Sequence, residues 1–281
     1  MIDAHHHLWN YDAADYPWIP VGSPLHASFG PAELAAVTQP CGVTATVVVQ
    51  ARQTLDETDW LLSLADSHEL VAAVVGWVPL AAGDVGETLD HLADRPRLRG
   101  IRHVVQDEPE GFLDGDAFNA GLREVTRTGL VYDLLIYGRQ LEETIRFVDR
   151  HPEQRFVLDH IAKPTIRPGQ FDTDWERDFR ELARRERVSC KFSGVATEVR
   201  SGDEGATWSV ETVRPYWEVA LEAFGPERLM YGSDWPVALL ATEYARWNAV
   251  VRELSGSLSQ SEREAVFRGT ATRAYGLDTI D

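Results

Sequence analysis

The sequence predicts a single closed (β/α)8 barrel. Three observations lead there. Eight short apolar runs recur along the chain, a helical period fills the gaps between them, and 281 residues suit one such barrel. The runs are Met1–His7, Thr44–Gln50, Leu70–Val78, Arg99–Val105, Leu130–Tyr137, Arg155–His160, Val188–Ser193 and Arg228–Asp234. They are rich in β-branched residues and alternate little, as strands buried on both faces of a parallel sheet do.

The first run is followed by the longest connection, roughly 8–30. In a barrel this loop lies on the catalytic face, where it can act as a partial lid. Later connections show apolar stripes: Phe118, Leu122 and Val125, then Leu141, Ile145 and Val148, then Trp175, Phe179 and Leu182. Val213, Trp217, Ala220, Leu221 and Phe224 form a fuller one. Each stripe buries one helix face against the sheet, so Trp175 and Trp217 belong to the core. Ser259 and Glu262 make a capping box that starts a last helix, and Gly276 is placed to end it. The competing architecture is a doubly wound open sheet. Its usual glycine-rich turn is missing: Leu8, Trp9, Asn10 and Tyr11 follow the first strand, and no G-x-G-x-x-G, P-loop or G-x-S-x-G occurs. There is no linker or internal repeat, so residues 1–281 read as one domain.

The formal charge of −18 repels polyanions, which argues against nucleic acid and anionic membrane surfaces as partners. No apolar run approaches the ~18 residues of a membrane span, and no secretory signal is visible. Two cysteines, Cys41 and Cys190, fit a reducing cytosol. A cytoplasmic protein is expected; homo-oligomers are compatible with this composition.

The chain opens Ile2-Asp3-Ala4-His5-His6-His7. Strand alternation puts His5 and His7 on one side and His6 on the other. At the end of a first barrel strand the shared side is the mouth, where two imidazoles can grip one cation. Two more strand ends carry ligand-type groups, His160 and Asp234. Singly, His160 can also be read as a satisfied buried histidine and Asp234 as a turn cap, the less favoured reading of each. Together with His5 and His7 they compose a divalent-metal site, Zn2+ first and Mn2+ second. Asp234 has a further use as the base for an attacking water.

These same residues resemble the amidohydrolase superfamily. Ile2–His7, Asp159-His160 with Lys163-Pro164, and Gly232-Ser233-Asp234-Trp235-Pro236 carry the likeness, supported by Gly100-Ile101-Arg102-His103 and the ending Thr270–Leu277. More narrowly, they resemble the amidohydrolase-2 group of sugar-lactone hydrolases: L-fuconolactonase, L-rhamnonolactonase and sulfomuconolactonase-like proteins. The resemblance implies a distorted TIM barrel that opens a lactone, with His5, His7, His160 and Asp234 as its active centre. Two-metal members bridge their ions with a carboxylated lysine on the fourth strand. Here that strand offers Arg102 and His103, and the nearby Lys191 lies on the seventh, which disfavours a binuclear site.

The expected reaction is water attack on a lactone carbonyl, with Asp234 taking the water's proton and returning it to the ring oxygen. Arg102 or His103 would face the developing oxyanion. Alternation admits one of them inward, and His103 is preferred. Gln50 and Lys163 can read substrate hydroxyls, and Trp9, Trp18, Trp77 and Trp235 can stack on a sugar face. The alternatives are a metal-dependent decarboxylase or an amidase on the same barrel, and a barrel that binds metal or sugar without catalysis.

Overall fold

The computed structural model describes residues 1–167, 169–199 and 208–277. Eight parallel strands pair in sequence order: β1 (Ile2–His6), β2 (Ala45–Val49), β3 (Val71–Gly76), β4 (Leu98–His103), β5 (Val131–Leu134), β6 (Phe156–Leu158), β7 (Val188–Phe192) and β8 (Leu229–Tyr231). Each falls within its expected run apart from Leu98, one residue early, and most are shorter at the C-terminal end, where the backbone turns into functional loops. The barrel closes just past β8. Asp234 N–H donates to the His5 carbonyl (2.8 Å) and His7 N–H donates to the Trp235 carbonyl (2.7 Å). This seam is itself the reason Asp234 lies beside His5, in β1, and His7, just past its end.

The barrel interior has two zones. Near the strand starts it is apolar: Ile2, Ala4, Val47, Val49, Ala73, Val75, Val131, Val157 and Met230, closed from below by Ala271, Tyr275 and Leu277. Near the strand ends it is charged, with Arg102, Asp133, Asp159 and Lys191 all buried. The helices cover the outside. Phe118, Leu122 and Val125 are buried as their stripe requires, and so are Trp175, Phe179, Leu182, Val213, Trp217 and Ala220. In helix Leu141–Arg150 the buried face is Leu141, Thr144, Phe147 and Val148, and Ile145 is only partly covered. The last helical segment starts at the Ser259–Glu262 capping box and ends at Gly276, whose φ is 62°. Between these ends it runs through a π-helical turn at Ala265–Gly269. Among the described residues no helix is long and apolar enough to cross a membrane.

The long loop after β1 is pinned at its base. Trp9 and Phe29 exchange backbone hydrogen bonds of 3.0 and 2.9 Å. Trp9, Tyr16, Ile19, Leu25 and Phe29 pack it internally, so it is a compact Ω-like loop on the mouth.

Candidate metal centre at the barrel mouth

A β-bulge aims the first strand. Ile2 pairs with Ala45 and Asp3 with Thr46, but His6 pairs with Val48, so three steps on β1 match two on β2. Ala4 faces the interior before the bulge, and His5 and His7 face it after. Bulges re-aim side chains in this way. His6 lies on the other face, 2.9 Å from Thr46 Oγ1. Asp3 also points outward and ties the seam together. Its Oδ1 accepts from Ser233 N (2.8 Å) and His5 N (3.2 Å), and its Oδ2 accepts from Tyr244 OH (3.0 Å).

The sixth strand ends differently. His160, Ile161, Ala162 and Lys163 all have left-handed backbones, with φ of 53°, 49°, 58° and 46°. Each costs roughly 1–2 kcal/mol for a residue with a Cβ. Burial of Ile161 and Ala162 helps offset that cost, as does the bond from Trp175 Nε1 to the Ile161 carbonyl (2.7 Å). The turn brings His160 over the mouth, its ring centroid 4.4 Å from that of His5.

The ligand-type atoms converge. His5 Nε2 lies 3.3 Å from His7 Nε2; Asp234 Oδ1 lies 3.4 Å from His7 Nε2 and 3.8 Å from the Nε2 atoms of His5 and His160. Ligands of a tetrahedral zinc ion, with bonds near 2.0–2.1 Å, are separated by about 3.4 Å. Second partners orient the rings. His7 Nδ1 donates to the Val49 carbonyl (2.8 Å), His5 Nδ1 lies 3.2 Å from Asp159 Oδ1, and His160 Nδ1 lies 2.9 Å from Ser193 Oγ. That arrangement turns each Nε2 lone pair toward the mouth, as carboxylate- and carbonyl-backed metal histidines do. Burial holds the His5 imidazole well below its ordinary range and pushes His160 down to about 4, so both are neutral at pH 7. For Asp234, burial acts against ionisation, but His160, His7 and Lys163 outweigh it and keep the carboxylate below its usual range. His5, His7 and Asp234 bring ligand atoms within 4.8 Å of one another, and a donor set of imidazoles and a carboxylate fits a divalent ion.

Two glycines make room. A Cβ on Gly194, at φ +65°, would meet His160 Nδ1 at 2.7 Å and Asp234 Oδ2 at 2.8 Å. One on Gly232 would meet the Cβ atoms of His5 and Ser193 at 2.9 Å.

Around this centre the structure corrects one expectation and redistributes others. Ile101 packs outward against the helices, so β4 turns Arg102 inward and His103 outward. Arg102 Nη1 lies 3.4 Å from His5 Nε2 and donates to Asp159 Oδ2 (3.0 Å). His103 is not the inward residue. It stacks on Phe112, accepts at Nδ1 from Trp77 Nε1 (3.2 Å), and bonds Glu108 Oε1 through Nε2 (2.7 Å). Trp77 is thereby turned to His103. Trp9 and Trp235 are buried in packing with Phe29, so neither ring offers a free face to a sugar. Trp18 is exposed and edges onto Trp9. Gln50 is buried, its Nε2 donating to the Arg102 carbonyl (3.3 Å) and its Oε1 without a partner among the described residues. Lys163 stands over the Tyr137 ring with Nζ 4.0 Å from Glu198 Oε1.

Asp133 and Ser193, and the role of Asp159 as a partner of His5, escaped the sequence reading. A detectable signal existed for Asp133, which like Lys191 is a lone charge inside an apolar strand, and buried charges demand partners.

A closed βα barrel whose mouth gathers three histidines and an aspartate around one point is a metal-type hydrolytic barrel enzyme. The chain belongs to the amidohydrolase family, whose model matches residues 2–277. It is 40% identical to an L-fucono-1,5-lactonase of Burkholderia multivorans, over 98% of this chain and 96% of that protein. It is 35% identical to an L-fucono-1,5-lactonase of Burkholderia ambifaria, over 99% and 96%. Among solved structures it superposes on an amidohydrolase from Burkholderia multivorans with bound zinc, with a TM-score of 0.92, 39% identity and 98% of each chain covered.

Proposed function

We propose that this protein hydrolyses a sugar lactone, of the L-fucono-1,5-lactone class, at one divalent ion held by His5, His7, His160 and Asp234. The observation that carries the reading is the convergence of His5, His7 and Asp234 within 3.3–3.8 Å of one another. The near-full-length likeness to two L-fucono-1,5-lactonases gives it the substrate class. Zinc is the ion by analogy with the Burkholderia structure, with Mn2+ the second candidate.

When bound, such an ion polarises the ester carbonyl and acidifies a water. The protein supplies the rest. Asp234, ionised at neutral pH, accepts a proton as water oxygen bonds to the carbonyl carbon. It returns that proton to the ring oxygen as the carbon–oxygen ring bond breaks, leaving the open hydroxy acid. Arg102 sets a buried positive charge beside His5, where negative charge grows. Gln50 Oε1 accepts from a substrate hydroxyl, and Lys163, at the rim, meets a hydroxyl or the product carboxylate. Carbohydrate breakdown in the cytosol is the matching context, in keeping with free Cys41 and Cys190.

The test is acid release from a panel of aldonolactones, before and after chelation and with Zn2+ or Mn2+ restored. Asp234→Asn is expected to lower turnover about 100-fold or more while the fold persists. Near-normal turnover would remove Asp234 from the mechanism. CO2 release from aromatic acids, without acid release from lactones, would replace the lactonase reading with decarboxylation.

A further inference from the structure

Beneath the mouth lies a second set of ligand-type groups that the proposed reaction does not use directly. The ammonium of Lys191 occupies it. Its Nζ lies 2.5 Å from Asp133 Oδ2, 2.9 Å from Asp159 Oδ1 and 3.2 Å from His5 Nδ1. Its fourth neighbour is the ring of Tyr275, 5.4 Å away, whose hydroxyl donates to Asp133. Lys191, Asp133, Asp159 and His5 are all fully buried. Two carboxylates are ligands a divalent cation selects, while His5, its Nε2 lone pair given to the mouth, turns Nδ1 to Asp159. His5, Asp159 and His160 also bring ligand atoms within 4.8 Å of one another, a grouping that shares His5 and His160 with the mouth site and does not include Asp133.

We propose that Lys191 is a resident cation, filling from within the chain a second position that would otherwise take a metal ion, so that this protein holds one ion per chain and not two. The inference rests on the one-ion centre proposed above.

The charge balance supports it. In the inner chamber Lys191 and Arg102 face Asp133 and Asp159, two positive charges against two negative. A divalent ion entering beside Asp159 would meet two fixed cations already bonded to that carboxylate. A lysine also differs from a metal in a useful way: it cannot dissociate. Asp159 therefore stays charged, placed and directed at His5 whether or not the mouth holds an ion. Lys191 acts through Asp159 and His5, so it is a positioning residue rather than a catalytic one.

The experiment counts metal per chain after loading with excess Zn2+, and separately Mn2+, followed by gel filtration. Thermal melts are recorded at rising ion-to-protein ratios. The wild type is expected to hold one ion, its melting temperature levelling at one equivalent. Lys191→Ala, which opens the chamber and leaves Arg102 as the one cation against its two carboxylates, is expected to hold two and to keep gaining stability up to the second equivalent. Lys191→Arg keeps the charge and is expected to stay at one. Folding of Lys191→Ala only when the ion is supplied also supports the inference. Two ions in the wild type, or one in a folded Lys191→Ala, overturns it. Should Lys191→Ala fold in neither condition, Lys191→Met, which keeps the stem without the charge, is counted in its place: two ions support the inference and one overturns it. A wild-type count of zero instead removes the mouth centre on which the inference stands.

Discussion

Replacing Asp159 by asparagine removes the hub of the inner network with almost no change in shape. Its Oδ1 receives Lys191 at 2.9 Å and His5 at 3.2 Å, and its Oδ2 receives Arg102 at 3.0 Å. With the carboxylate gone, two buried cations face Asp133 alone, and the chamber carries a surplus positive charge. Breaking one member out of a buried ionic cluster costs roughly 3–5 kcal/mol. At about 2–4 °C per kcal/mol for a chain near this size, the melting temperature should fall by about 6–20 °C. Arg102→Met alone leaves the opposite surplus and should cost a similar amount. The double variant restores neutrality, with Lys191 left on Asp133. Its cost should fall short of the sum of the singles by about 1–3 kcal/mol. Urea unfolding of the four proteins at pH 7.5 measures all three differences. The same Asp159→Asn variant should bind its mouth ion about 10–100-fold more weakly, since His5 loses the partner that orients it. Additivity of the two substitutions within about 0.5 kcal/mol would refute the claim that these groups share one charge balance.

Two further outcomes follow from local physics. Ala162 is fully buried with φ 58°, so Ala162→Gly relieves about 1–2 kcal/mol of left-handed strain, against about 0.5–1 kcal/mol of chain entropy and about 0.8 kcal/mol of lost methyl burial. It should lie within about 1 kcal/mol of wild type, whereas Ala73→Gly, on an ordinary buried strand, should cost about 1.5 kcal/mol by the last two contributions; equal costs in urea unfolding would show that the turn is unstrained. His151 is buried on Asn119, and burial, with Arg123 and Arg150, pushes its imidazole down to about 4. The folded chain then binds fewer protons than the unfolded one between about pH 4 and 6.5, so stability rises with pH across that window and levels above it. The group removes about 2 kcal/mol at pH 5 relative to pH 7.5, and His151→Gln should reduce the difference between those two pH values by about that amount; an unchanged difference would contradict the assignment.

Much of the barrel was legible because its signals are local. An apolar β-branched run, a helical stripe and a capping box each involve residues a few positions apart, and eight repetitions leave little choice of architecture. The likeness of His5 and His7 was legible for the same reason, since alternation relates neighbours two apart. Strand ends were the natural place to look for His160 and Asp234. What was not local was missed or misplaced. Whether Arg102 or His103 faces inward depends on strand phase, which Ile101 settles by packing outward against helices distant in sequence.

The sequence by itself determined that there would be a barrel, and imidazoles and a carboxylate at strand ends. Only the tertiary structure decided how they meet. The bulge in β1, the left-handed turn through Lys163 and the pairing of Lys191 with Asp133, 58 residues away, exist only once the cylinder has closed. The reason is energetic. A strained backbone or a buried charge is unfavourable alone, and it becomes stable only through partners that closure brings within reach, such as Asp159 and His5 across 154 residues of chain.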